Sequence, residues 1–202
     1  MKKVKILAIK TIATDSPDHI EPCGTANDNT TSEAFVGEMI ARFGPDMAYL
    51  DIGCAGGGFV KQFIDQNILA VGLEGSDYSL TRNRAEWATI PDYLFTADVT
   101  KEYDILDETG MPIYFDVISA WDVMEHFHKD DIPFVITKIH SLLKDNGIFV
   151  ASIHNLPHHT YHQTCESREW WVKTFADYGL VETESVKTYG RNSVFDITFK
   201  KA

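Results

Sequence analysis

Tyr49-Leu50-Asp51-Ile52-Gly53-Cys54-Ala55-Gly56-Gly57-Gly58-Phe59 is a short apolar strand that ends in an acid and runs into a glycine-rich turn before a helix. Such a turn lets the backbone pass close to a ligand and aims a helix N-terminus at it. The pattern repeats at once. Residues 69–74, Leu-Ala-Val-Gly-Leu-Glu, form a second strand with Glu74 at its tip, placed roughly 20 residues on, where nucleotide-binding α/β units put their ribose acceptor. Two strands with acids at their tips around a glycine turn imply a site that holds a nucleoside by its ribose.

A departure from the dinucleotide pattern G-x-G-x-x-G narrows the choice of nucleoside. The first glycine position is occupied by Asp51, so the turn reads Asp51-x-Gly53-x-x-Gly56-Gly57-Gly58. A carboxylate there would repel the pyrophosphate that the same turn must cradle, which argues against a dehydrogenase. A cofactor without phosphates, carrying an amine and a sulfonium, suits the acid better. In these residues the chain resembles the class I S-adenosylmethionine-dependent methyltransferases, from about Thr31 onward. The resemblance implies that Asp51, Gly53 and Gly57 meet the methionyl part and that Glu74, followed by Gly75 and Ser76, holds the ribose hydroxyls. It also places Asp98 and Val99, after the third strand, near the adenine. The fourth strand, 115–121, resembles the family's next motif, with Trp121 where relatives bracket the methionyl amine by backbone. Residues 142–153 resemble the helix end, turn and fifth strand.

The chain has 202 residues, enough for one well-buried domain, with an N-terminal arm and lid expected over 1–31 and the core over 32–202. No apolar run approaches the roughly 20 residues that span a bilayer, and the N-terminus turns polar too soon for a signal peptide, so a cytoplasmic location is expected. Cys23, Cys54 and Cys165 lack metal-type spacing and read as free thiols. Cys54 reads as a small packing residue of the turn. The formal net charge of −12 disfavours bulk nucleic acid and anionic membranes as partners. A small-molecule substrate remains, and the oligomeric state is open.

Alternating strand and helix patterns predict an α/β fold, a Rossmann-like, seven-stranded and mostly parallel sheet with helices on both faces. Residues 4–12 read as a strand or extended arm and 14–31, rich in turn formers, as a long ordered loop or lid. Ser32 is positioned to cap a helix over 33–43 whose Phe35, Met39 and Phe43 share one face. Strands follow at 47–52, 69–74, 93–96, 114–120 and 147–153, with helices at 58–66, 77–88 and 130–144. A helix from Arg168 to Tyr178, stopped by Gly179, precedes a final antiparallel pair, 180–186 and 193–200. The antiparallel last strand also resembles the methyltransferase fold.

Seven of the eight histidines lie between His126 and His162, after strands four and five, at the carboxyl edge where open α/β sheets bind ligands. His140, in a helix pattern, and His128 read as surface or core-rim residues. Asp122-Val-Met-Glu125-His126, with His154 and then His158-His159 after the fifth strand, forms the sharper group. Methyl transfer to a heteroatom is an in-line displacement that needs an aligned acceptor and, for a hydroxyl, removal of a proton. Imidazole titrates near neutrality, so His126 and His154 are the candidates for base or orienting residue. A second reading uses the same residues without such a base. Metal-dependent branches of the family, the ubiquinone-pathway O-methyltransferases and the small-RNA 2′-O-methyltransferases, carry Glu-x-x-Glu-His after the fourth strand, and Asp122-x-x-Glu125-His126 resembles it with one shortened acid. Trp170-Trp171 reads as either a pocket cap or a core anchor.

These readings lead to the expectation of S-adenosylmethionine as cofactor and transfer to O or N of a small molecule, with no metal ligand assigned and the need for a metal left open. The alternatives are a metal-assisted O-methyltransferase using Asp122, Glu125, His126 and a later histidine, and a non-catalytic S-adenosylmethionine-binding protein.

Overall fold

The computed structural model describes residues 3–156, 160–186 and 194–202. Seven strands form one sheet: β2 (Ala48–Ile52), β3 (Leu69–Glu74), β4 (Leu94–Thr96), β6 (Phe115–Trp121), β7 (Leu143–His154), β8 (Leu180–Glu182) and β9 (Val194–Lys201). Their order across the sheet is β4-β3-β2-β6-β7-β9-β8. All neighbours are parallel except around β9, which runs against both β7 and β8. Strand β2 is buried throughout, as a central parallel strand covered on both faces must be. The sequence reverses its direction of winding between β2 and β6, so the crevice outside the ends of these strands is the topological switch point.

Helices cover both faces. On one, α3 (Glu33–Phe43) and α4 (Gly58–Asp65) bury Phe35, Met39, Phe59 and Phe63 against Tyr49 and Val117. Ser32 caps α3 by accepting from the Phe35 N–H at 3.2 Å. On the other face, α6 (Ile132–Leu142) buries Ile132, Val135, Ile136, Ile139 and Leu142, a helical stripe. Beside it, α7 (Arg168–Asp177) buries Trp171 and Phe175, so Trp171 is a core anchor. Trp170 is only partly buried, beneath the Lys129 ammonium.

Three features differ from the sequence reading. A strand not foreseen, β5 (Tyr103–Asp107), pairs antiparallel with β1 (Val4–Ala8) in a separate two-stranded ribbon. The stretch 14–31 carries two single-turn helices, α1 (Pro17–Ile20) and α2 (Gly24–Asn27). The helix expected over 77–88 is only α5 (Tyr78–Thr81), followed by a 3-10 turn at Ala85–Ala88. The chain breaks where Asn83 and Ala85 take positive φ, 51° and 48°. The Arg84 guanidinium is drawn away to the carbonyls of Thr25 and Asp28, and the Glu86 N–H donates to Gly56 O at 2.9 Å. Tertiary bonds to the strap at 13–31 therefore override local helix propensity. Of the final pair, expected over 180–186 and 193–200, residue 193 lies outside the described residues, as does the connection 187–192.

Candidate active site

A cavity of about 520 Å³ opens at the carboxyl edge of the sheet, between the tips of β2, β3 and β6 on one side and the strap at 13–31 on the other. Its floor is acidic. Asp51, 3% exposed, accepts a hydrogen bond from Ser119 Oγ at 2.7 Å, and Ser119 Oγ is in turn 2.6 Å from the Tyr49 hydroxyl. Burial pushes the Asp51 pKa from 3.8 to about 7, against the pull of those hydroxyls and with a further push from Glu74. Glu74, also buried, accepts from the N–H groups of Ser76 (3.0 Å) and Ala55 (2.9 Å) and from Thr25 Oγ1 (3.3 Å). Burial raises its pKa, and these donors offset part of the rise. Asp98 is held by Thr100 through N–H (3.1 Å) and hydroxyl (2.6 Å) and by the Lys10 ammonium at 3.3 Å.

The glycine turn does two jobs. Gly53 lines the cavity with φ of 73°, and a Cβ there would lie 2.3 Å from Val123 Cγ2. Gly57, at φ of 89°, turns the chain into α4. Gly56 and Gly58, by contrast, make room for the strap: added Cβ atoms would meet Asn29 Oδ1 at 2.6 Å and Thr30 O at 2.5 Å. Cys54 is buried there with its thiol pKa pushed well above the usual range by that burial, so it is a packing residue and no nucleophile.

Across the cavity stand the residues after β6. Trp121 stacks on Phe59 at 5.2 Å and lines the wall with Asp122, Val123, His126, Phe127 and His128. Asp122, at φ of 54°, accepts from Ser152 Oγ at 2.7 Å. The His126 Nδ1 is bonded to Asp18 Oδ2 of α1. Burial works to lower the His126 pKa, but the Asp18 bond and the charges of Asp18, Glu125 and Asp122 outweigh it and raise it. The ring lies near parallel to Tyr161 (6.2 Å) and tilted to His162 (5.4 Å), both of which also line the cavity. Glu125 is fully buried behind it. One carboxylate oxygen accepts from the His154 N–H at 2.9 Å, and the other has no partner among the described residues. Burial raises the Glu125 pKa to about 7. Glu125, His126 and His162 each present a ligand atom, and these lie within 4.8 Å of one another.

Of the residues singled out from sequence, Asp51, Gly53, Glu74, Gly75, Asp98, Val99, Trp121 and His126 line the cavity. Gly57 and Ser76 stand behind it, shaping α4 and fixing Glu74. His154 is not among the lining residues. Its Nδ1 accepts from the Leu156 N–H at 3.2 Å and its ring packs on His162 at 5.0 Å. His158 and His159 lie outside the described residues. His162, read from sequence only as a member of the histidine group, is cavity wall, and the residues missed altogether are Asp18 and Thr25 of the strap and Tyr161. Their only sequence signal is composition, since their partners lie far away along the chain.

The class this defines is the doubly wound α/β proteins that keep a ligand cavity at the carboxyl edge of their sheet. Within it, a family model described as a methyltransferase domain matches residues 29–191, and the chain belongs to that family. No curated protein matches it in sequence. Among solved structures, the CcbJ methyltransferase from Streptomyces caelestis is similar at 14% identity with a TM-score of 0.64, over 95% of this chain and 97% of that one. The 1,6-didemethyltoxoflavin-N1-methyltransferase of Burkholderia thailandensis, solved with 1,6-didemethyltoxoflavin and S-adenosylhomocysteine bound, is 16% identical with a TM-score of 0.63, over 91% and 84%. Magnesium protoporphyrin IX methyltransferase from Synechocystis, solved with S-adenosylmethionine, is 14% identical with a TM-score of 0.59, over 88% of each chain. At these identities the likeness speaks for the fold. Among the described residues no helix is long and apolar enough to cross a membrane.

Proposed function

We propose that the chain transfers the methyl group of S-adenosylmethionine to an oxygen or nitrogen of a small-molecule acceptor, with His126 taking the acceptor's proton. The observation that carries this reading is a cavity with buried acids on one side and an imidazole on the other. When bound, the cofactor supplies an electrophilic methyl whose bond to sulfur breaks as the bond to the acceptor forms. Glu74, in a rigid cradle of three donors, is placed to take the ribose hydroxyls. Asp51 suits a cationic amine, because a buried carboxylate has a strong preference for a positive neighbour. Asp98 and Val99 would border the adenine. Trp121, Phe127 and Tyr161 exclude water from the wall where an acceptor sits, and His126 moves the proton. The neighbours with S-adenosylhomocysteine or S-adenosylmethionine bound, and their small-molecule names, support cofactor and acceptor class. The test is calorimetry with S-adenosylhomocysteine followed by incubation of a metabolite extract with methyl-labelled cofactor. Absence of cofactor binding would sink the reading.

One observation favours a metal-assisted variant. The donor set of Glu125, His126 and His162, with a buried carboxylate oxygen that has no partner among the described residues, fits a divalent cation, and two imidazoles with one carboxylate suit a transition metal better than Mg²⁺. Such an ion would lower the pKa of an acceptor hydroxyl. Asp122 is held by Ser152 and is not part of the group. Loss of turnover in EDTA, restored by Zn²⁺ and absent in Glu125→Gln, would select this variant; indifference to EDTA removes it.

A further inference from the structure

We propose that Asp18, carried by the strap, is a positioning residue for His126, so that His126 is aligned for proton transfer only when the strap is closed over the cofactor side of the cavity. This rests on the reading of His126 as the base. The two residues are 108 apart in sequence and meet only because the strap crosses the mouth of the sheet. Their side chains are 18% and 24% exposed, so the pair is sheltered, unlike a surface ion pair weakened by water.

The bond falls on Nδ1. In the neutral ring a carboxylate there selects the tautomer with hydrogen on Nδ1, which leaves the Nε2 lone pair to receive a proton. The ring plane is also set, by Tyr161 on one contact and His162 on another. Tyr161 is itself pinned to the strap, its hydroxyl donating to Glu21 O at 2.9 Å. The Asp18 bond and the Tyr161 contact therefore both depend on where residues 18–21 sit, while His162 is held apart from the strap, at Leu156 O.

The same strap touches the cofactor side. Thr25 Oγ1 donates to Glu74, Ser79 Oγ and the Arg84 guanidinium both donate to Thr25 O at 3.0 Å, and the Gly56 N–H donates to Asp28 O at 3.1 Å. Residues 15–18, 23–25, 28 and 30 form one wall of the cavity, so a ligand the size of a nucleoside with an amino-acid tail enters past them. One short segment thus reads the state of Glu74 at one end and fixes the imidazole at the other. Alignment of the base is thus tied to the position of the strap that also walls the cofactor side.

The experiment uses the full chain with S-adenosylhomocysteine as the probe and reads the ring nitrogens of His126 by 15N NMR, assigned with His126→Gln, on the alkaline side of the ring's own titration as followed in the same spectra. The liganded wild type is expected to show hydrogen on Nδ1, Asp18→Ala to show a mixture of tautomers, and Asp18→Asn, which keeps an accepting oxygen, to restore the signal. Affinity for S-adenosylhomocysteine should stay within about threefold in all three, because cofactor contacts are spread over the rest of the site. With an acceptor found by the labelled-methyl incubation, Asp18→Ala should lose about tenfold or more in kcat with KM little changed. An unchanged His126 spectrum in Asp18→Ala overturns the proposal. So does a variant whose only defect is weaker cofactor binding, with kcat intact at saturation, since that is the behaviour of a plain latch. Full turnover by His126→Gln would instead strike the base reading, and the tautomer result on Asp18 would stand apart from it.

Discussion

Asp51 and Glu74 are carboxylates placed where ionisation costs most, and that placement makes testable statements about pH. The folded pKa of Asp51, about 7, lies above its ordinary 3.8. Its contribution to stability is therefore fully present below pH 3.8, declines as pH rises and is gone above about 7. Asp51→Asn cannot ionise, so above pH 7 the ligand-free variant should be more stable than the wild type, by about 1–4 kcal/mol, and denaturant melts at pH 5 and pH 8 check the crossover. With Asp51 facing the cofactor's amine as proposed, cofactor binding should have the opposite dependence, because a cationic amine favours the ionised form. Affinity of the wild type for S-adenosylmethionine should fall about tenfold per pH unit below 7, with proton release on binding, and the slope should vanish in Asp51→Asn. Calorimetry in two buffers of different ionisation heat measures both. Glu74→Ala leaves the N–H groups of Ser76 and Ala55 without their acceptor. It should weaken cofactor binding tenfold or more, at about 1.5–3 kcal/mol per charge-assisted bond; equal calorimetric affinity in a folded variant would remove Glu74 from the ribose.

At the level of elements, the glycine turn and the strap form one unit. Gly53 faces Val123, so Gly53→Ala meets both a positive φ and a side chain. It should destabilise by about 1–3 kcal/mol, and Val123→Ala on top should recover only the steric part, as thermal melts of the double mutant would show. Gly58→Val collides with the backbone of Thr30. Its expected effect is to lift the strap, with faster proteolysis over 13–31 and weaker S-adenosylhomocysteine binding while the sheet's circular dichroism holds. The turn itself is legible in the sequence, because a strand-turn-helix with a leading acid has a small set of physical uses; Gly53 lines the cavity, whereas Gly57, expected to meet the methionyl part, stands behind it at the start of α4. The role of Gly56 and Gly58 is not legible there, because it depends on a segment some 28 residues earlier that carries turn formers and no hydrophobic period. Helix α5 was misjudged for the same reason: the bonds that break it run to Thr25 and Asp28. Strand β5 gives little signal in the sequence because it is short, Leu106 breaks its alternation, and its partner β1 lies far away along the chain.

For the molecule as a whole, hydrophobic period and strand-helix alternation were enough to read a mostly parallel seven-stranded sheet, since burial of both faces leaves apolar runs that local chemistry cannot disguise. The half of the cavity built by β-strand tips was readable with it. The half built by the strap and by Tyr161 and His162 was readable only as a lid and a histidine group, without its contacts, because loops carry no period from which contact can be deduced. The order of strands across the sheet has a consequence for how the protein is made. Strand β9 lies between β7 and β8, yet it is synthesised after both, and it supplies seven paired positions along Ile148–His154. Until that segment leaves the ribosome, the nascent chain presents the bare, apolar edge of β7 to its surroundings, and β8 has nothing to pair with. The last strand is thus a deferred closure, and the interval before it arrives is when chaperone demand and misassembly should be greatest.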